Sequence, residues 1–132
     1  MTGTPHVFRL RVYYEDTDLA GIVYYANYLK FIERARTEAL IARGIDQAAM
    51  QATNGSVFAV RRVVADYLAP ARFLDDLEVT TAWDTVSAAR IVLLQDVNRG
   101  PSTLFRAEVT IVCLGPDGRP RRLPQEVRAA LG

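Results

Sequence analysis

YYEDTDLAGIVYYANYLKFIERARTEALIAR, residues 13–43, joins an acidic, glycine-containing turn to the one long amphipathic helix that the chain offers. Tyr28, Phe31, Ile32, Ala35, Ala39 and Ala42 recur at i, i+3, i+4, i+7, i+11 and i+14, which is one stripe of a helix. Lys30, Glu33, Arg34, Arg36, Glu38 and Arg43 lie opposite, so that face is expected to meet water or another subunit and to contribute no chemistry. Glu33 can meet Arg36 at i+3 and Arg34 can meet Glu38 at i+4, both weak surface pairs. Gly44 supplies a C-terminal cap, giving a helix of ~17 residues and ~25 Å at ~1.5 Å per residue.

Upstream, Phe8, Leu10, Val12 and Tyr14 alternate with Arg9, Arg11 and Tyr13, the period-two pattern of a half-buried strand over Val7 to Tyr14. Met1 to Pro5 is small and polar and is expected to fray. Downstream, Ile45 to Gly55 is a small-residue connection with room for a short helical turn, ended by Asn54-Gly55. Four strand-like runs follow, over Val57 to Tyr67, Leu77 to Asp84, Ile91 to Val97 and Leu104 to Leu114. Arg61-Arg62 interrupts the alternation of the first run and predicts a bulge or a change of face. In the second run Leu77, Val79, Thr81 and Trp83 share one face. Gly100-Pro101 and Gly115-Pro116-Asp117-Gly118 mark turns. Arg119 to Leu123 is a short segment, and Pro124 opens a short C-terminal helix reaching Leu131.

The order β-α-β-β-β-β predicts an α+β fold, an antiparallel sheet with one face covered by one helix. A helix as apolar as Tyr28 to Ala42 fits at the centre of a curved five-stranded sheet wrapped around it, the hotdog arrangement. Neither a repeat nor a linker divides the sequence, so residues 1–132 are expected to form a single domain. One sheet layer leaves an edge or a face uncovered, and pairing of subunits into a homo-oligomer would cover it.

Composition narrows the partners. Half of the 132 residues are apolar and 23% are charged, close to a soluble globular average. The formal net charge is +1, so no global field draws the chain to nucleic acid or an anionic membrane. Lys30 is the only lysine, and the other basic residues are arginines, which suit bidentate phosphate or carboxylate contacts. A lone Cys113 cannot form an intramolecular disulfide and fits a reducing compartment. No signal segment opens the sequence and no apolar run approaches the ~18 residues of a membrane span. A cytoplasmic location without membrane insertion is expected.

Elimination then narrows the chemistry. One histidine, His6, stands near the start, and one cysteine lies in a strand, so a Ser-His-Asp or Cys-His relay lacks a rigidly placed imidazole. Zinc needs several His or Cys ligands, and an oxygen-ligand site from Glu15, Asp16 and Asp18 alone is weak, so no metal is expected. Glycine-rich phosphate loops are absent. What remains is a carboxylate beside backbone donors. Asp18 precedes Ala20-Gly21-Ile22-Val23 and the helix entry around Tyr25 to Asn27, where amide N–H groups lack intrahelical partners. Those N–H groups can hold the oxygen of a polarised carbonyl. Asp18 could then act as nucleophile or as the base that activates water, and Gly21 lets the backbone approach a substrate closely. Asp16 and Asp18 could equally cap the turn and the helix. Asp16 is assigned that structural role, while for Asp18 the residues alone leave both readings open.

The string YxDTDxAGIVYYANYLxFxERAR, Tyr14 to Arg36, resembles the 4-hydroxybenzoyl-CoA thioesterase family, and within it the Tol-Pal-associated acyl-CoA thioesterase branch. Asp66-Tyr67-Leu68, Pro70-Ala71-Arg72, Asp76-Leu77-Glu78-Val79 and Gly118-Arg119-Pro120 with Leu123-Pro124 extend the resemblance across nearly the whole chain. It implies a hotdog enzyme that hydrolyses an acyl-CoA to a carboxylic acid and free CoA, with no bound cofactor; coenzyme A enters as part of the substrate. Asp18 matches the family's catalytic carboxylate, and the backbone N–H of Tyr25 matches its carbonyl-polarising donor, at a position where many relatives have histidine. Gly21, Ile22 and Val23 then line the substrate, with Val60, Arg61 and Arg62 from the apposed strand of a second subunit. Arg61, Arg62, Arg72, Arg90, Arg119, Arg121 and Arg122 are candidates for the CoA phosphates, although the basic cluster of one relative is replaced by Ala88-Ala89-Arg90. The family commonly builds tetramers as dimers of dimers. Hydrolysis of acyl-carrier-protein thioesters stays open, as does a non-catalytic acyl-CoA-binding or scaffold role in envelope or lipid-synthesis machinery.

Overall fold

A computed structural model describes residues 4–132. The fraying expected of Met1 to Pro5 lies, for residues 1–3, outside the described residues. The strands are β1 (His6–Arg11), β2 (Val57–Tyr67), β3 (Asp76–Val86), β4 (Arg90–Arg99), β5 (Ser102–Leu114) and β6 (Pro120–Arg121). The α-helices are α1 (Asn27–Ala42), α2 (Gln47–Asn54) and α3 (Gln125–Leu131), with a 3-10 turn at Tyr14–Asp16. All strand pairs are antiparallel in the order β1-β3-β4-β5-β2, and β6 adds two residues to β5 beyond the five strands expected.

The sheet curls around α1, which packs on β3, β1 and β4, giving the expected α+β hotdog fold. Phe31, Ile32, Ala35 and Ala39 on the helix are buried against Leu77, Val79, Leu93, Val97 and Phe105 from the strands. Fully burying a Phe, Ile, Leu or Val side chain contributes roughly 1.5–3 kcal/mol, and Phe31→Ala would cost about 3–5 kcal/mol. Gly44, at φ 79, ends the helix as expected. Its N–H donates to Ile41 C=O and that of Ile45 to Leu40 C=O, the paired bonds of a Schellman cap.

Three local expectations change. β1 stops at Arg11 because Val12 exchanges backbone hydrogen bonds with Leu74 and Asp75, and Tyr13 N–H donates to Asp16 Oδ2 at 2.9 Å. Tyr14 therefore leaves the strand face and is exposed. The connection after α1 holds two turns of helix, because Asp46 caps α2 through Ala49 N–H at 3.0 Å. The third change is Arg36, which does not lie on a solvated face. It is 8% exposed and donates from Nη1 to Gln95 Oε1 at 3.1 Å. Burial pulls its guanidinium below the ordinary value, opposed by the charge of Glu33, yet no Glu33–Arg36 ion pair forms among the described residues. Gln95 also donates from Nε2 to Ile32 C=O and Thr81 Oγ1, both at 2.9 Å. Alternation along β4 puts Gln95 in line with Ile91, Leu93 and Val97, so its polarity on the core face was the available signal.

The bulge expected at Arg61-Arg62 is present, because the β2–β5 register shifts between Val60 and Arg62. His6 lies in β1 opposite Thr81, not in a frayed start. Among the described residues no helix is long and apolar enough to cross a membrane.

Candidate active site

The acidic turn folds as a small hairpin. Thr17 bridges Val23, Asp18 N–H donates to Ile22 C=O at 2.9 Å, and Gly21 N–H donates to Asp18 C=O at 3.0 Å. Gly21 has φ 80, the left-handed conformation that closes such a turn and that a side chain would strain. Ile22 bridges Arg72, and Val23, buried, donates its N–H to Ala71 C=O at 2.9 Å. Asn27 Nδ2 donates to Asp16 C=O at 2.9 Å, and Tyr24 N–H donates to the same carbonyl. The hairpin is thereby fixed to the entry of α1.

Asp16 has the structural role assigned to it, since its carboxylate accepts Tyr13 N–H. Asp18 Oδ1 accepts Ala20 N–H at 2.9 Å, a local turn contact, and the residue is exposed. That bond engages one oxygen, and Oδ2 accepts no hydrogen bond from the described residues. Tyr24 stands nearby: its phenol is pushed above its ordinary value, first by the Tyr25 phenol and in smaller part by the Asp18 carboxylate.

Tyr25 sits one residue before the N-cap position, Ala26. Its N–H donates to no backbone acceptor among the described residues, whereas Tyr24 and Asn27 on either side of the Tyr25–Ala26 pair both donate. Its C=O accepts the Tyr67 hydroxyl at 2.9 Å. Tyr67, the last residue of β2, packs edge-on to Tyr25, Tyr28 and Phe105 with ring centroids 6.2, 5.5 and 4.9 Å away. Burial, then Tyr25 and Tyr28, raises its phenol above the ordinary value. Tyr28 stacks on Phe105 at 5.0 Å and accepts Ala71 N–H at 3.0 Å through its hydroxyl. One aromatic group thus ties the hairpin, the helix start and the end of β2 together.

Asp18, Gly21, Ile22, Val23 and Tyr25 therefore come together at one junction. Val60, Arg61, Arg62 and Arg90 do not join it within the chain. From Val60 to Tyr67 the strand covers roughly 20 Å at ~3.3 Å per residue, and Tyr67 is the end that touches Tyr25. Val60 faces inward with Ile111, Arg61 is the unpaired bulge residue, and Arg62 turns outward with Thr110. Arg90 opens β4 opposite Val112, on the same outer face. Arg119 and Arg122 are exposed, while Arg121 is engaged with Asn54 C=O and Ser56 Oγ.

β2 is an edge strand. Val60, Val63 and Tyr67 share the inner face of the sheet with buried Ile111, Val109 and Phe105 of β5, yet they are 47%, 38% and 49% exposed. Between this row and α1 lies a cavity of about 110 Å³ lined by Glu33, Arg36, Thr37, Phe58 and Val60. Larger grooves of about 580 and 640 Å³ lie elsewhere, and neither is lined by Asp18 or Tyr25. Tyr67 and Asn27 went unnoticed as site-building residues in the sequence, because a tyrosine closing a strand and an asparagine before a helix have ordinary local explanations.

A curled antiparallel sheet around one helix defines a hotdog protein, and the chain belongs to the thioesterase-like superfamily, whose model matches residues 12–131. Over 131 residues it is 42% identical to the acyl-CoA thioester hydrolase YbgC of Escherichia coli, covering 98% of this chain and 97% of that protein. A probable thioesterase from Bartonella henselae superposes with a TM-score of 0.87 at 35% identity, over 92% of this chain and 100% of the other. A 1,4-dihydroxy-2-naphthoyl-CoA thioesterase from Synechocystis superposes with a TM-score of 0.87 at 25% identity, over 97% and 96%.

Proposed function

We propose that this protein is an acyl-CoA thioesterase that releases a carboxylic acid and free CoA. One observation carries the reading: an exposed carboxylate with an unengaged oxygen, Asp18, shares a rigid junction with the unengaged N–H of Tyr25. Nearly full-length similarity to proteins named as acyl-CoA hydrolases supports the substrate class. The thioester carbonyl accepts the Tyr25 N–H, which stabilises the oxyanion as the carbonyl carbon becomes tetrahedral. Asp18 acts in one of two ways. As nucleophile it bonds to that carbon, the C–S bond breaks, CoA leaves as thiolate, and water hydrolyses the resulting anhydride. As base it takes a proton from water, whose oxygen bonds to that carbon; the C–S bond then breaks, and CoA leaves as thiol with the proton that Asp18 had taken.

We infer that the site is completed by a second copy. The inner face of β2 is apolar and exposed, its outer backbone edge is unpaired within the chain, and the end of β2 that touches Tyr25 is Tyr67, with Val60 to Arg62 five to seven residues back along the strand. Paired through β2, one subunit's Asp18 and Tyr25 would face the other's Val57 to Val64, with Arg61, Arg62 and Arg90 near the mouth for CoA phosphates. A dimer of dimers is the expected assembly, and a cytoplasmic location the expected setting.

Thiol release measured over aliphatic and aromatic acyl-CoAs and over the matching carrier-protein thioesters tests the function. Release from the CoA panel is expected. Release confined to carrier-bound acyl groups would move the substrate class, and tight acyl-CoA binding without any release would make the protein a binding or scaffold module.

A further inference from the structure

The phenol of Tyr67 has one hydrogen bond in the structure, and its acceptor is the carbonyl of the residue whose N–H is the oxyanion donor of the proposed reaction. We propose that Tyr67 is a positioning residue: its hydroxyl, donating to Tyr25 C=O at 2.9 Å, holds residue 25 so that its N–H points into the site. The inference rests on the donor role proposed above for Tyr25.

Residue 25 needs such a hold. It precedes α1, and its N–H has no backbone acceptor among the described residues. Its side chain is largely exposed and packs on Tyr24, 4.9 Å away, and on Tyr67. The hairpin fixes Tyr24 through Asp16 C=O, and the helix fixes Asn27 through Tyr24 C=O. Tyr25 N–H belongs to the Tyr24–Tyr25 peptide, whose carbonyl accepts Asn27 N–H. The next peptide, Tyr25–Ala26, has one external tether among the described residues, the Tyr67 hydroxyl, so that the two bonds together fix the backbone on both sides of residue 25. Tyr67 is itself well placed, because β2 pairs it with Phe105 and its ring packs edge-on to Tyr28 and Phe105. The tether therefore joins the donor to the sheet. A donor displaced by about 1 Å can cost on the order of a hundredfold in rate, so a tether of this kind has a kinetic consequence that ordinary packing lacks.

Tyr67→Phe keeps the ring and removes the hydroxyl. Turnover is expected to fall about tenfold with KM within about twofold, since the loss is felt where the oxyanion forms. The fall in thermal midpoint should not exceed about 5 °C for one partly exposed hydrogen bond. A spectroscopic readout separates positioning from general damage. In Asp18→Asn protein, loaded with an acyl-CoA carrying a 13C-labelled thioester carbonyl, the carbonyl infrared band is expected to lie below its position in water. In the Asp18→Asn, Tyr67→Phe protein that displacement should shrink or broaden. An equal displacement in both proteins, or unchanged turnover in Tyr67→Phe, would overturn the proposal while leaving Tyr25 as donor. No displacement in Asp18→Asn alone would overturn the donor role of Tyr25, and this inference with it.

Discussion

The two flanks of α1 are built to different standards of closure. Toward β3 and β4 the helix lies on a sealed surface: Phe31, Ile32 and Ala35 are buried, and Arg36, the one buried cation among the described residues, is hydrogen-bonded to Gln95, which also engages Ile32 and Thr81. Toward β2 the same helix touches Tyr67 through Tyr28 but faces Val60 across a cavity, and its entry carries an exposed Asp18 and an unengaged Tyr25 N–H. Marginal stability, roughly 5–15 kcal/mol for a domain of this kind, is supplied by the closed flank. The open flank keeps the groups that a substrate or a second copy can still meet.

If this division is right, changes on the open flank should remove activity and spare the fold. Outside the catalytic carboxylate itself, the largest effect is expected from Val63→Arg. The side chain is exposed in the single chain, so a charge is tolerated there, but it would disrupt the pairing proposed through β2. Light scattering should show a smaller particle, and turnover should fall at least about a hundredfold because the site would lose its second wall. A monomer with full turnover would break the comparison, since the open flank would then need no partner.

The closed flank should respond the other way. Gln95→Leu leaves the buried Arg36 guanidinium and Thr81 without their partner, and should cost about 3 kcal/mol in urea unfolding. Turnover per folded molecule should change little. Tyr28 lies between the flanks. Tyr28→Phe deprives Ala71 N–H of its acceptor, at about 1–2 kcal/mol. Burial raises the Tyr28 phenol above the ordinary ~10. The unfolded chain therefore ionises first: the contribution is complete below about pH 10 and is lost as pH rises through the folded value. Alkaline unfolding monitored in wild type and Tyr28→Phe should accordingly converge at high pH. The smallest effect is Gly44→Ala, about 1 kcal/mol, because φ 79 at the end of α1 suits glycine alone.

The closed flank was largely legible in the sequence. The stripe from Tyr28 to Ala39 and the face shared by Leu77, Val79, Thr81 and Trp83 each correspond to a buried face, because burial imposes a period that composition reveals; Ala42, expected on the stripe, is exposed, and Leu40 is buried instead. Arg36 was misplaced for the same reason: charge argues for water, and only the sheet's Gln95 shows what receives it. The open flank was legible in part. Asp18 and Gly21 announce a turn, and the resemblance singles out Asp18 and Tyr25. The Tyr67 bond to Tyr25 joins residues far apart in sequence, so no local pattern carries it. Val60 was assigned through the resemblance to the site of a second subunit, and that Val60 and Val63 lie open within the chain follows from α1 packing chiefly on β1, β3 and β4.

The most direct measurement is thiol release by Asp18→Asn beside wild type, with circular dichroism and thermal midpoint recorded on both. The account predicts turnover lowered at least about a thousandfold in a protein that folds and melts as wild type does. Wild-type turnover in a folded Asp18→Asn protein would contradict it and return Asp18 to the turn that its carboxylate already closes on Ala20.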